Sequence, residues 1–165
     1  VMKAQDRHLQ VLKLLTRLRL AASHPRLLEE TSTIASSKLA RAVELLEELR
    51  AEGQRALVFS QFTTHLALLR EQLEARGVPF LELDGSTPSG ERRARVKAFQ
   101  EGTAPVFLIS LKAGGFGLNL TAATNVVLLD PWWNPAVEAQ ATDRAHRIGQ
   151  EQPDAVYRLV SMNTV

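Results

Sequence analysis

Gln140, Arg144 and Arg147 recur at i, i+4 and i+7, so a helix that carries them presents all three on one face. Arginine offers a fixed fork of donors, keeps its proton throughout the physiological range and matches phosphate oxygens. Two arginines about one turn apart can clamp a phosphate or stabilise a phosphoryl-transfer transition state. Earlier in the chain, Lys112 to Gly117 places three glycines in six residues beside one lysine. Glycine lets the backbone approach a phosphate closely and turn its N–H groups toward it. Taken alone, the arginines have an equally simple reading as a solvated helix face, paired with Glu138 or Asp143.

These side chains need a frame, and Ile109 to Gln150 reads as strand, glycine loop, strand, aromatic turn and helix. Phe107 to Ser110 is a short apolar run that ends on a serine. Asn125 to Leu129 is a second buried strand, closed by Asp130 and Pro131. Asn134 is a good N-cap with Pro135 at the first helical position, and Gly149 marks a C-terminal stop. Trp132 and Trp133 stand together between prolines, where neighbouring side chains point opposite ways. One is then buried and the other presented, unless both are plugs.

Upstream, Met2 to Ala22 has leucines at helical spacing interleaved with basic residues. It reads as an amphipathic helix packed on the domain, with a basic surface helix as the rival. It must stop before His24-Pro25, because the residue before proline avoids the α region. Glu29 to Ser37 is a polar linker, and Ser36 or Ser37 caps a helix over Lys38 to Glu52 that ends at Gly53. Ala56 to Ser60 is a strand. Thr63 or Thr64 caps the helix Thr64 to Arg76, which Gly77 closes. Phe80 to Leu83 is the next strand, Asp84 to Thr87 a turn, and Pro88 opens a helix with Val96 and Phe99 inside. Gly102 ends that helix, Pro105 begins a third strand, and Ala155 to Val160 reads as the last one.

A chain of 165 residues suffices for one ordinary domain with a core. Its 45% hydrophobic and 23% charged content is that of a soluble globular protein. A net charge of +2, carried mostly by arginine, permits a nucleic-acid surface without requiring one. The absence of cysteine excludes disulfides, zinc knuckles and thiol catalysis. No apolar run approaches membrane-spanning length, so no membrane partner is expected, and no metal site is read.

The run GGFGLNLTAATNVVLLDPWWNP, followed by VEAQATDRAHRIGQ, resembles motifs V and VI of the Swi/Snf-type ATPases, DNA translocases of helicase superfamily two. FSQF at Phe59 to Phe62 resembles their motif IV, LDGST at Leu83 to Thr87 has a counterpart near the bound strand, and TRLRLAASHPRLL resembles the segment leading into their second lobe. The resemblance implies an α/β fold: a C-terminal RecA-like lobe with a parallel sheet of about five to six strands and helices on both faces. Residues 1–35 would be a helical protrusion and linker, and residues 36–165 the lobe itself.

It also implies roles, residue by residue. Arg144 and Arg147 would be catalytic arginine fingers reaching the γ-phosphate of ATP held on the other lobe, with Gln140, Gly117 and Asn119 also facing the nucleotide. Ser60, Gln61, Gly85, Ser86, Ser110, Lys112, Gly114 and Gly115 would lie along the DNA backbone, and Trp133, rather than Trp132, would reach the DNA. At Asp84 to Thr87 ordinary turn-and-cap chemistry is an equal alternative, and the serine and threonines around Gln61 serve equally as caps.

Neither G-x-x-x-x-G-K-[ST] nor D-E-x-H occurs in the chain. In the family these belong to the first lobe, which would hold most of the ATP and its Mg²⁺ and would lie upstream of Val1. The expectation is therefore half of an ATP-driven double-stranded DNA translocase that cannot hydrolyse ATP alone. Its partners would be double-stranded DNA, the N-terminal RecA-like lobe of the same protein, and RNA polymerase or another DNA-bound protein as cargo. The location would be the bacterial nucleoid or the eukaryotic nucleus. The alternative is a non-catalytic interaction module that keeps the fold. A dinucleotide-binding fold fits less well, because GGFGLN lacks the G-x-G-x-x-G spacing.

Overall fold

A computed structural model describes residues 4–114, 118–130, 132, 134–143 and 155–162. Five strands form one parallel sheet: β1 (Ala56–Ser60), β2 (Phe80–Leu83), β3 (Val106–Ser110), β4 (Asn125–Leu128) and β5 (Ala155–Arg158). Their order across the sheet is β2-β3-β1-β4-β5. In every paired neighbour the strands run the same way, with Ala56 opposite both Val106 and Asn125. The expected architecture, a parallel sheet of about five to six strands with helices on both faces, is what the chain forms, with five strands among the described residues.

Alternation of side chains along each strand feeds two cores. Ala56 and Val58 point to the face covered by α2 (Ser37–Ala51) and α3 (Thr63–Ala75), where they meet Leu39, Val43, Leu46, Leu49, Leu66, Leu69 and Leu73. Leu57 and Phe59 point to the other face, against Phe99 of α4 (Ser89–Gln100), Phe107, Leu120 and Trp132. A strand buried on both faces reads as an uninterrupted apolar run, which is why ALVFS and VFLIS were legible as strands without alternation.

Helices α2, α3 and α4 each stop in the same way. Gly53, Gly77 and Gly102 have positive φ, and the residue beyond each returns its N–H to the carbonyl five back: Gln54 to Leu49, Val78 to Leu73 and Thr103 to Ala98. A side chain at that conformation is strained, so glycine belongs there. Ser36 caps α2 by accepting the Leu39 N–H. The start of α3 differs from expectation: its N-cap position is Phe62 and no side chain caps it, so Thr63 and Thr64 do not serve.

Two further differences concern the motif-bearing segments. Directly after β3 the chain makes one helical turn, α5 (Leu111–Gly114), over the first part of the expected glycine loop, whose residues 115–117 lie outside the described residues. The helix α1 (Ala4–Ser23) is tied to the lobe mainly at its end, where Ser36 donates to the Ser23 carbonyl and Ser161 to that of Ala22. Most of its leucines do not pack: Leu9 and Leu12 are 57% and 59% exposed, while Leu15 and Leu20 are half-buried. The helix stops at Ser23 as the following His24-Pro25 requires. Among the described residues no helix is long and apolar enough to cross a membrane.

Candidate functional site

The carboxyl ends of β1, β2 and β3 open onto one groove, lined by Gln61, Thr63, Asp84, Gly85, Ser86, Ser110 and Lys112. Its volume is about 570 Å³. In open parallel sheets ligands collect outside the carboxyl ends of strands, where neighbouring strands connect in opposite directions. Here β1 lies between β3 and β4, and the chain crosses over β1 to pass from one to the other. Three segments far apart in sequence therefore converge, each at the end of a strand.

Each wall has a local cause. At the end of β2, Asp84 folds the chain back on itself. One carboxylate oxygen accepts the main-chain N–H groups of Ser86 and Thr87 at 2.8 and 3.0 Å and their hydroxyls at 2.7 and 3.1 Å. The Ser86 bond, with its companions, outweighs the small burial penalty and holds the Asp84 carboxyl below the usual range. This turn is the ordinary Asx chemistry its composition suggests. It also means that both donors of Ser86 already face Asp84. A phosphate there must draw the Ser86 hydroxyl away.

Across the groove, Lys112 is exposed on the first turn after β3. Its Cβ lies 3.7 Å from where a Cβ on Gly85 would stand, so the two walls are in contact range. Lys112 is the lining cation and Asp84 the lining anion.

Two serines stand in register at this end of the sheet, one at the floor of the groove and one beneath it. Ser60 of β1 and Ser110 of β3 are paired neighbours, and both are buried. Ser60 has no exposed surface and its hydroxyl donates to Asp130. It lies beneath the groove and not on it, so the expected Ser60 backbone contact has no surface to act through. The Ser110 hydroxyl has no hydrogen-bond partner. Gln61, one residue beyond Ser60, is half-buried at the rim.

Sequence reasoning passed over Asp130, taking it only as the end of a strand. It is 1% exposed and gathers donors from β1 and α3. Its oxygens accept the Ser60 hydroxyl, the Gln61 main-chain N–H at 3.1 Å and the Gln61 side-chain amide at 3.2 Å, and face His65 Nδ1 at 3.4 Å. Burial pushes the Asp130 carboxyl up, but bonds from His65, Ser60 and Gln61 together hold it below the usual range. An aspartate between an apolar strand and a proline was the available signal.

The corner after Asp130 leads to α6 (Pro135–Thr142). Trp132 is buried edge-on against Phe59, with ring centroids 6.4 Å apart. Its main-chain N–H donates to Glu138, which also binds Arg158 at 2.9 Å. Asn134 accepts the Ala136 N–H at 3.0 Å, the N-terminal cap its position suggests. Gln140 is exposed on α6, Asn119 is exposed between buried Leu118 and Leu120, and Gly114 ends α5. Gly115, Gly117, Trp133, Arg144 and Arg147 lie outside the described residues.

A larger hollow of about 680 Å³ lies at the opposite end of the sheet, lined by Gln54, Arg55, Gln100 and Thr124 among others. Its polar groups are already used. Gln54 accepts from Asn125, Gln100 bonds Thr121 and Ala122, and Arg55 donates to the carbonyls that end α4. It is a structural lock at the amino ends of the strands.

Residues 37–149 match the family model described as "Helicase conserved C-terminal domain". The chain is 42% identical over 161 residues to the "Putative ATP-dependent helicase/translocase YwqA" of Bacillus subtilis, covering 94% of this chain and 18% of that protein. It is 39% identical over 170 residues to the human "SWI/SNF-related matrix-associated actin-dependent regulator of chromatin subfamily A member 1", covering 95% of this chain and 16% of that protein. Among solved structures it resembles the "Crystal structure of the C-terminal part of Fun30 ATPase domain", with a TM-score of 0.75 and 33% identity, over 91% of this chain and 51% of that one. The chain thus spans less than a fifth of either curated relative.

Proposed function

The chain belongs to the helicase conserved C-terminal domain family as the C-terminal lobe of a Swi/Snf-type, superfamily-two ATPase, and from that premise we propose that its parent protein is an ATP-driven translocase on double-stranded DNA. In this reading residues 1–35 form a protrusion, residues 36–165 the second of two RecA-like lobes, and the groove at the ends of β1, β2 and β3 receives the DNA backbone. One observation carries the reading: Gln61, Gly85, Ser86, Ser110 and Lys112, drawn from three strand ends, line a single open groove.

The chemistry fits a phosphate backbone better than an enclosed small molecule. The groove is open to solvent, its lining residues other than Gly85 carry polar side chains, and its one lysine is exposed opposite Asp84; most protein–DNA hydrogen bonds go to phosphate and sugar. Contacts of this kind set position and leave sequence unread, as a translocase needs. Gln61, Gly85 and Lys112 are the contacts we assign to the groove surface, with Ser110 at its floor. Ser86 joins them where phosphate displaces its bond to Asp84. Gly114 and Gly115 would extend the same wall, and Trp133 would meet the DNA from the corner whose other tryptophan is buried.

ATP with Mg²⁺ would be held mainly by the first lobe, and this lobe would complete the site. Arg144 and Arg147 would lend guanidinium groups to the γ-phosphate, with Gln140, Asn119 and Gly117 beside the nucleotide. This assignment rests on their one-face spacing and on family membership. DNA-bound protein, RNA polymerase included, would be the cargo displaced. The location would be the nucleoid or the nucleus. The second reading, an interaction module that keeps the fold without the motor, is favoured by no observation and separates on turnover.

The test uses the full-length protein. DNA-stimulated ATP hydrolysis and duplex binding are measured for wild type, Lys112→Ala and Arg147→Ala. The proposal expects Lys112→Ala to weaken duplex binding and Arg147→Ala to abolish turnover. Duplex affinity unchanged by Lys112→Ala removes the groove, and turnover unchanged by Arg147→Ala removes the finger.

A further inference from the structure

We infer that Asp130 is a positioning residue for DNA binding: it holds Gln61 at the rim of the groove and ties that rim to the corner from which α6 departs. The inference rests on the DNA reading of the groove.

Gln61 is held twice by one carboxylate oxygen, through its main-chain N–H at 3.1 Å and its side-chain amide at 3.2 Å. A carboxylate accepts only, so the amide must turn its nitrogen inward to Asp130, which settles one of its two orientations. The second carboxylate oxygen takes the Ser60 hydroxyl and faces His65 Nδ1. A carboxylate only accepts, so that contact calls for a proton on His65 Nδ1, and its Nε2 is buried without a partner.

Among the described residues, three elements direct polar groups at Asp130. Ser60 and Gln61 come from the end of β1 and His65 from α3, and the positive charge of Lys38, buried at the start of α2, also acts on it. His24, from the N-terminal segment, feels His65 in turn. A buried charge is tolerated only when paired and hydrogen-bonded, so the carboxylate and its donors hold one another in a single arrangement. On its other side Asp130 leads to Trp132, whose N–H binds Glu138 of α6. The residue that orients the groove rim and the residue that opens the α6 corner are therefore the same.

The experiment is a double-mutant cycle in the full-length protein, read by duplex-DNA affinity with a fluorescent duplex. Asp130→Asn replaces an acceptor by a group that offers an NH₂ to donors. We expect Asp130→Asn and Gln61→Ala each to weaken binding about fivefold, the worth of roughly one hydrogen bond. The double variant should bind no more weakly than Gln61→Ala alone. A merely structural loss would lower affinity equally in either background. Full additivity, or wild-type affinity in Asp130→Asn, overturns the inference while leaving the groove intact. Wild-type affinity in Gln61→Ala overturns the rim contact in the groove reading and the inference with it. Should Asp130→Asn not fold, Ser60→Ala, which removes a donor from the same carboxylate, carries the same cycle against Gln61→Ala.

Discussion

Ser60 and Ser110 stand side by side in β1 and β3, both buried, yet only Ser60 has a partner for its hydroxyl and only Ser110 lines the groove. Two residues of one type at one level of the sheet thus do different work. Ser60→Ala gives up a bond to a buried carboxylate and should cost about 1.5–3 kcal/mol by chemical denaturation of this chain. Ser110→Ala gives up no bond and should change stability by within about 0.5 kcal/mol. In the full-length protein Ser110→Ala should weaken duplex binding several-fold. Unchanged affinity would remove Ser110 from the contacts.

Lys112 should report on the backbone through salt. Neutralising one phosphate contact lowers the slope of log affinity against log salt by about 1. Lys112→Ala should show that change in duplex binding. Lys97→Ala is the control, since Lys97 projects from α4 and pairs with Glu101 away from the groove. Equal slopes for the two variants would count against the groove.

Asp130 makes stability depend on acid in a defined direction. Its carboxyl lies below the usual range in the folded chain, against about 3.9 when unfolded. The unfolded state therefore takes up the proton first as pH falls, and acid favours unfolding. The margin of wild type over Asp130→Asn should be full at neutral pH, persist down to about 4, and shrink as pH falls through the folded value. A margin that stays constant to strong acid would show that the carboxylate is not held this way. Asp130→Ala, which strands all its donors, should cost on the order of 3–5 kcal/mol.

His24 should add a milder dependence at higher pH. Its Nδ1 accepts the Arg26 N–H at 3.0 Å, opening the short 3-10 turn Pro25–Leu27. Burial first, then the charges of His65 and Arg26, lower its affinity for a proton, with Glu71 opposing. A lowered histidine pKa means that the unfolded chain protonates first, so this stability is present above about 6.5 and is lost as pH falls below it. His24→Asn keeps an acceptor without titrating. The difference in unfolding free energy between wild type and His24→Asn should therefore be flat above about 6.5 and fall below it.

Arg147 and Trp133 should separate hydrolysis from DNA coupling in the full-length protein. Arg147→Ala should lower ATP turnover by about 10³- to 10⁵-fold with duplex affinity retained. Trp133→Ala should spare basal hydrolysis and remove its stimulation by DNA. Trp132→Ala, by contrast, should act on the fold, because its ring is buried against Phe59, and should cost about 3–5 kcal/mol. Basal turnover lost in Trp133→Ala would contradict its assignment to DNA.

Much of the frame was legible because its causes are local. The apolar runs ALVFS and VFLIS, the stops at Gly53, Gly77 and Gly102, the cap at Ser36 and the Asn134-Pro135 start of α6 depend on residues within a turn of one another. The Asp84 turn was legible for the same reason, since an aspartate bonds to N–H groups two and three residues ahead. The leucines of α1 show the limit of this reasoning: spacing identified the helix, but burial needs a surface to pack on, and Leu9, Leu12, Leu14 and Leu18 stay exposed.

The sequence by itself determined the strands, the glycine stops of α2, α3 and α4 and the list of polar residues at the strand ends. Only the tertiary structure decided which of those residues face the groove. Ser60 and Gln61 are adjacent and both bind Asp130, 69 residues beyond Gln61, yet Ser60 is buried while Gln61 stays at the rim. Ser60 and Ser110 become neighbours only through pairing of β1 with β3. Long-range pairing leaves no trace in local composition, because a serine that serves a buried carboxylate and a serine that floors a groove are written alike.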